Sequence, residues 1–147
     1  MKLNVSITGQ MPGQWREALS ELRGDLGFVL SENGVPIRCH KGDGIAVVCD
    51  GDAVELTWST DVEFYRALSL IPVPLAVCDI REKANFKSAG PMFDCSRNGV
   101  VNRDAMRFFI RKMALMGLNL GMMYTEDTYE VPGRPFFGYK RGRYTYE

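Results

Sequence analysis

Residues 3–8 alternate apolar Leu3, Val5 and Ile7 with polar Asn4, Ser6 and Thr8, the period of a strand with one buried face. A turn containing Pro12 and Gly13 follows, and then the period lengthens. Trp15, Leu19, Leu22 and Leu26 recur at helical spacing with charges opposite them, which predicts a helix over residues 14–26 with Gly27 as its left-handed stop. Trp15, at the first turn of that apolar stripe, is expected in the core.

The next stretch, with Asn33-Gly34 and Gly42-Asp43-Gly44, reads as a Gly-rich loop. Ile45–Cys49 and Val54–Trp58 then read as two strands joined by an Asp50-Gly51 hairpin turn. Gly42-Asp43-Gly44 precedes a strand and lacks the lysine and following helix of a phosphate-binding loop, so it reads as a hairpin connection. Thr60 or Asp61 caps a helix bearing Phe64, Ala67, Leu68 and Ile71, and Pro72 with Pro74 stops it. Residues 75–87 look extended. Residues 1–87 therefore predict a two-layer α+β unit, an antiparallel or mixed sheet covered on one face by two helices.

Residues 90–127 carry a different pattern. An apolar run GPMFDCSR, a helix-patterned segment over residues 102–118 and a second run LNLGMMYTED read as strand, crossover helix, strand. A crossover helix of that length makes the strands parallel, so their ends emerge at one edge of the sheet, where α/β proteins place their chemistry. Those ends carry Arg97 on the first strand and Glu126 with Asp127 on the second. In the helix, Asn102 is a good N-cap, Asp104 suits the positive end of the dipole, and Gly117 ends it. Met106, Phe109, Ile110 and Met113 form the stripe expected to pack on a sheet, and Arg107, Arg111 and Lys112 take the opposite, solvated face. Charges at the ends of buried strands cost free energy unless partnered, so Arg97 and Asp127 pair with each other, with neighbouring loops or with a polar ligand.

Composition narrows the classes without choosing among them. With 147 residues, 46% apolar and 24% charged, the chain resembles an ordinary globular protein, and its zero formal net charge supplies no global field for nucleic acid or an anionic membrane. Lys140, Arg141 and Arg143 read as a solvated basic tail. Cys39, Cys49, Cys78 and Cys95 are widely spaced without a CxxC pair, and three of them sit inside apolar runs where thiols serve as small core residues. His40 reads as a loop or surface histidine, and neither metal nor cofactor is expected. The N-terminal stretch offers no secretory signal and no membrane anchor, so a reduced, cytoplasmic protein is expected.

The run FDCSRN, followed by the helix and then GLNLGMMYTEDTYEVPGRPFFGYKRGRYTYE, resembles the family-20 glycoside hydrolases, the β-N-acetylhexosaminidases, and most closely their bacterial intracellular branch. That resemblance implies an accessory α+β domain over residues 1–87. Residues 88–147 would then be the start of a (β/α)8 barrel: first strand, first helix, second strand and the loop after it. It matches Arg97 to the arginine that hydrogen-bonds the hydroxyls of a terminal N-acetylhexosamine, a task suited to a planar guanidinium fork. It matches Asp127, with Glu126 beside it, to the carboxylate that orients the acetamido group or steadies the catalytic acid. Tyr124, Tyr129, Tyr139 and Arg141 fit cleft lining and loop packing equally and receive no role.

In that family the substrate's acetamido oxygen is the nucleophile, assisted by a consecutive Asp-Glu pair on the fourth barrel strand. This sequence contains no Asp-Glu dipeptide, and Glu126-Asp127 has the reverse order on another strand. No catalytic residue is therefore assigned, and the 147-residue chain alone is expected to be inactive. Its unpaired edge and apolar face are expected to favour self-association. A non-enzymatic binding or interaction module, with Arg97 and Asp127 purely structural, is the alternative. Nucleic-acid binding through KRGR is disfavoured by the charge balance and by the lack of an aromatic and basic face on one element.

Overall fold

A computed structural model describes residues 2–97 and 99–145. Its elements are β1 (Leu3–Gly9), α1 (Trp15–Leu22), β2 (Phe28–Leu30), β3 (Val35–Lys41), β4 (Ile45–Cys49), β5 (Val54–Trp58), α2 (Asp61–Ser69), β6 (Cys78–Glu82), β7 (Met92–Asp94), α3 (Arg103–Met116) and β8 (Met122–Tyr124). The first six strands form one mixed sheet in the order β2-β1-β3-β5-β4-β6. Strands β2, β1, β3 and β5 run parallel, and β4 runs antiparallel to both β5 and β6.

Four expectations for the first half need correction. The stretch read as a Gly-rich loop contains β2 and β3, and β3 lies in the middle of the sheet between β1 and β5. Val35, Ile37 and Cys39 do alternate with Pro36, Arg38 and His40, but Pro36 and the flanking glycines mask a strand that pairing on both sides stabilises. His40 accordingly belongs to a strand rather than a loop, and its exposed side chain makes it the surface histidine expected. Gly42-Asp43-Gly44 joins β3 to β4 although these are not neighbours, because β5 lies between them, so it is not a hairpin connection. The first helix also stops at Leu22, with Arg23 still right-handed, and Leu26 sits in the following turn with its N–H donated to the Leu22 carbonyl.

One face of the sheet is sealed. Register places Val5, Ile37, Leu56 and Val47 on that side, where Leu19 and Leu22 of α1 and Phe64, Ala67 and Leu68 of α2 complete a single core. Burial pushes the Cys39 thiol up to about 12. Trp58, 1% exposed, donates its indole N–H to the Gln10 carbonyl at 3.1 Å. Thr60 and Glu63 form the reciprocal box that starts α2. The other face is polar: Glu55 accepts from Arg38 and His40 at 2.8 and 2.9 Å.

The second half is built as its sequence pattern predicts. Strands β7 and β8 pair in parallel, with Met92 opposite Met122 and Asp94 opposite Tyr124, and α3 crosses between them. Asn102 caps α3 through Ala105 N–H, and Gly117 ends it in the left-handed conformation at φ 76°. Gly90 lets the chain approach Leu120 so closely that a Cβ there would collide with the Leu120 carbonyl oxygen. Asn119 completes the closure, accepting from Ala89 N–H at 3.0 Å and donating to the Lys87 carbonyl at 2.9 Å.

The two faces of α3 are not divided as expected. Arg111 and Lys112, expected in solvent, meet Asp25 at 3.2 and 2.7 Å. Leu115 of the same helix packs on the core of the large sheet, and its carbonyl accepts from Ser69 at 2.8 Å and Arg66 at 3.4 Å. Apolar Phe108, Phe109 and Ile110 remain 38–56% exposed, and no residue of α3 is buried. The helix is therefore fixed by a polar seam to the turn after α1 and to α2 while Phe109 packs on Phe93 of β7 at a ring separation of 5.3 Å.

Candidate functional site

The ends of β7 and β8 form one edge, joined where Cys95 N–H donates to the Tyr124 carbonyl at 2.7 Å. At the end of β7, Asp94 accepts from the N–H and hydroxyl of Ser96 at 2.9 and 2.7 Å. These bonds, with the nearby Arg97 charge, hold its carboxyl below the usual range. Arg97 turns back over this turn and meets Asp94 at 3.3 Å.

At the end of β8 the chain bends at Glu126, which takes a positive φ of 47° without being glycine. Its carboxylate accepts from the Tyr124 hydroxyl at 2.9 Å, and that bond raises the Tyr124 pKa. Residues beyond Asp127 then fold back over the edge. Tyr144 N–H donates to the buried Thr128 carbonyl at 2.7 Å, and Glu130 N–H donates to the Tyr144 carbonyl at 3.0 Å. Gly138 lies so close to the Asp127 carbonyl that a Cβ would collide with it, and Arg143 donates to the Phe137 carbonyl at 3.1 Å.

This return brings in Arg141, to which no role attaches in the sequence. It meets Asp127 at 2.7 Å and Glu126 at 3.0 Å and donates to the Ser96 carbonyl at 3.2 Å, so one guanidinium ties both strand ends together. Arg97, Glu126 and Asp127 do converge at one edge, but Arg97 and Asp127 are not each other's ion-pair partners. The contact from Arg97 to Glu126 is 3.9 Å, and the Arg97 side chain remains 70% exposed. Its guanidinium lies over Asp94 and Glu126 yet stays largely open to solvent, while Arg141 offsets part of the negative charge of Glu126 and Asp127. Tyr129 and Phe137 pack edge to face at 5.3 Å, which makes Tyr129 part of the returning loop.

Arg141 escaped the sequence reading because it follows no strand or helix period. The RGR run registers only as basic, and its partners lie 14 and 15 positions away with irregular chain between. Asn98 of the FDCSRN run and the final two residues lie outside the described residues. Among the described residues no group of three or more His, Cys, Asp or Glu side chains is placed to hold a metal ion, and no helix is long and apolar enough to cross a membrane.

No protein-family model matches the chain, and no curated protein matches it. Solved structures do. A GH20 exo-β-N-acetylglucosaminidase from Vibrio harveyi, solved with N-acetylglucosamine, superposes with a TM-score of 0.67 at 17% identity, over 92% of this chain and 25% of that one. An inactive mutant of the GH20 enzyme from the same organism gives 0.66 at 17% identity, over 93% of this chain and 25% of that one. This α+β chain thus has the fold of part of those enzymes and spans about a quarter of their length.

Proposed function

We propose that the chain is the N-terminal portion of an exo-acting β-N-acetylhexosaminidase, with the (β/α)8 barrel beginning at about residue 88. The observation that supports this most is the parallel β7–α3–β8 unit, with the exposed Arg97 fork and the carboxylates of Glu126 and Asp127 at a single strand-end edge. The fold shared with GH20 enzymes points the same way.

In this reading Arg97 donates hydrogen bonds to hydroxyls of the terminal N-acetylhexosamine, and Asp127 and Glu126 orient the acetamido side of the sugar. Hydrolysis is retaining, with the acetamido oxygen attacking the anomeric carbon, and the proton for the leaving oxygen comes from an Asp-Glu pair that this sequence does not contain. The chain alone therefore hydrolyses no glycoside. The exposed apolar residues of α3 and β8, Ile110, Met122 and Met123 among them, would be covered by further barrel elements. Without that cover the chain self-associates, and light scattering at micromolar concentration is expected to give a mass above the 16.5 kDa of one copy.

The test is Arg97→Ala in the longer polypeptide that begins with this chain. Losing a charged donor to the sugar should lower kcat/KM on a chromogenic N-acetylglucosaminide by about tenfold to hundredfold, with circular dichroism unchanged. Undiminished kcat/KM would contradict the assignment. It would favour the reading of Arg97 and Asp127 as structural parts of an interaction module.

A further inference from the structure

Cys49 ends β4 and Cys78 opens β6, and the antiparallel register sets them directly opposite each other. Residues so placed have Cα atoms roughly 4.5–5.5 Å apart, inside the range a disulfide spans. Because both occupy the same register position, their side chains leave the sheet on the same side, the one facing the core. Each Sγ has a local polar contact: Cys49 accepts from Gly51 N–H at 3.4 Å, and Cys78 lies 3.9 Å from the Val47 carbonyl.

The other two cysteines are excluded by topology. Cys39 lies on β3, which is separated from β4 by β5 and from β6 by two strands, so about 10 Å of sheet stands between it and Cys49 and about 14 Å between it and Cys78. Cys95 follows β7 in the second sheet. Of the four thiols, one pair alone is in reach.

We propose that Cys49 and Cys78 are a redox site, closed to a cross-strand disulfide by small disulfide oxidants of the glutathione class. Cys78 is only partly buried and Cys49 is 2% exposed, which fixes the order of events. The Cys78 thiolate attacks oxidised glutathione and releases one glutathione thiolate. The Cys49 thiolate then attacks the Cys78 sulfur of the mixed disulfide and releases the second. Two protein thiols are oxidised, one glutathione disulfide is reduced to two thiols, and two protons leave the protein. Burial, and then the neighbouring Cys49, raise the Cys78 thiol pKa, so the first step accelerates as pH rises above neutral.

The bond has a structural consequence. Strand β6 closes one side of the sheet and among the described residues is paired only with β4, and the chain leaves it toward β7. Closing the disulfide pins the strand from which the second sheet departs and constrains the unfolded chain between residues 49 and 78.

The test is made on the 147-residue chain held in glutathione buffers of graded potential, then alkylated in denaturant and weighed. Oxidising buffer should leave two alkylation sites instead of four, with a Cys49–Cys78 crosslinked peptide and a Tm increase that dithiothreitol reverses. Cys39→Ser and Cys95→Ser should retain the crosslink, and Cys78→Ser should lose it. Four alkylated thiols in the most oxidising buffer, a Cys78–glutathione adduct that persists with Cys49 free, or a crosslink to Cys39 or Cys95 would each overturn the proposal.

Discussion

The six-stranded sheet and the β7–α3–β8 unit use apolar residues in equal earnest but bury them very differently. In the large sheet, Trp58, Phe64, Leu56 and Ile37 are at most 1% exposed, sealed between strands and two helices. In the smaller unit, Phe109, Ile110, Met92 and Met122 stay 38–60% exposed, and α3 is held instead through Asp25, Leu115 and Ser69. The same amphipathic grammar therefore yields a finished layer in one region and an uncovered one in the other. A helix stripe and a strand run state which face is to be buried, but they do not supply the partner.

That contrast can be broken at its strongest point first. Trp58→Ala removes a buried indole and its hydrogen bond to Gln10, and should cost about 3–5 kcal/mol in denaturant unfolding. A cost below about 1 kcal/mol would mean that the large sheet is not the stable body of the chain. Gly90→Ala should be next in effect, because its methyl group collides with the Leu120 carbonyl. The expected outcome is lost hydrogen-exchange protection in β7 and β8 with protection retained in β1, β3 and β5; equal loss in both sheets would show that they fold as one unit.

The seam between the regions gives a smaller, pH-dependent effect. Hydrogen bonding from Lys112 holds the Asp25 pKa low across the seam, and within the first region hydrogen bonding from Arg66 does the same for Glu82. A carboxyl whose folded pKa lies below its unfolded value stabilises fully above the unfolded value, near pH 4, and loses that contribution as pH falls through the folded value. Stability should therefore fall on acidification below about pH 4, and Asp25→Asn should flatten part of that slope in pH-dependent unfolding curves. An unchanged slope would remove Asp25 from the seam. The smallest effect belongs to Phe109→Ala, which should cost about 1 kcal/mol or less because the ring is already 38% exposed. A loss comparable to Trp58→Ala would mean that α3 is buried in solution.

The sequence made the second region legible because its signals are local. Asn102 and Gly117 mark both ends of α3, and the parallel pairing follows from the crossover length alone. The same holds for α2, where Thr60 and Glu63 three positions apart form the box that starts the helix. Strand β3 was not legible, since Pro36 and the flanking glycines mask its alternation and its identity rests on β1 and β5 pairing from either side. Arg111 and Lys112 misled for a related reason: two cations on a helix suggest solvent, and their partner Asp25 is more than 80 positions earlier in the chain. At the candidate site, Arg97, Glu126 and Asp127 announce themselves by standing at strand ends, whereas Arg141 reaches them only through an irregular loop. Local order can be read along the chain; pairing across long separations must be seen in space.

The central claim, that this is the opening portion of an N-acetylhexosaminidase which holds part of the sugar but none of the catalytic pair, is tested most directly by comparing two polypeptides on a chromogenic N-acetylglucosaminide. The 147-residue chain should show no hydrolysis above the uncatalysed rate, and the longer polypeptide that begins with it should turn the substrate over. Turnover by the short chain, or none by a folded longer one, would contradict the account.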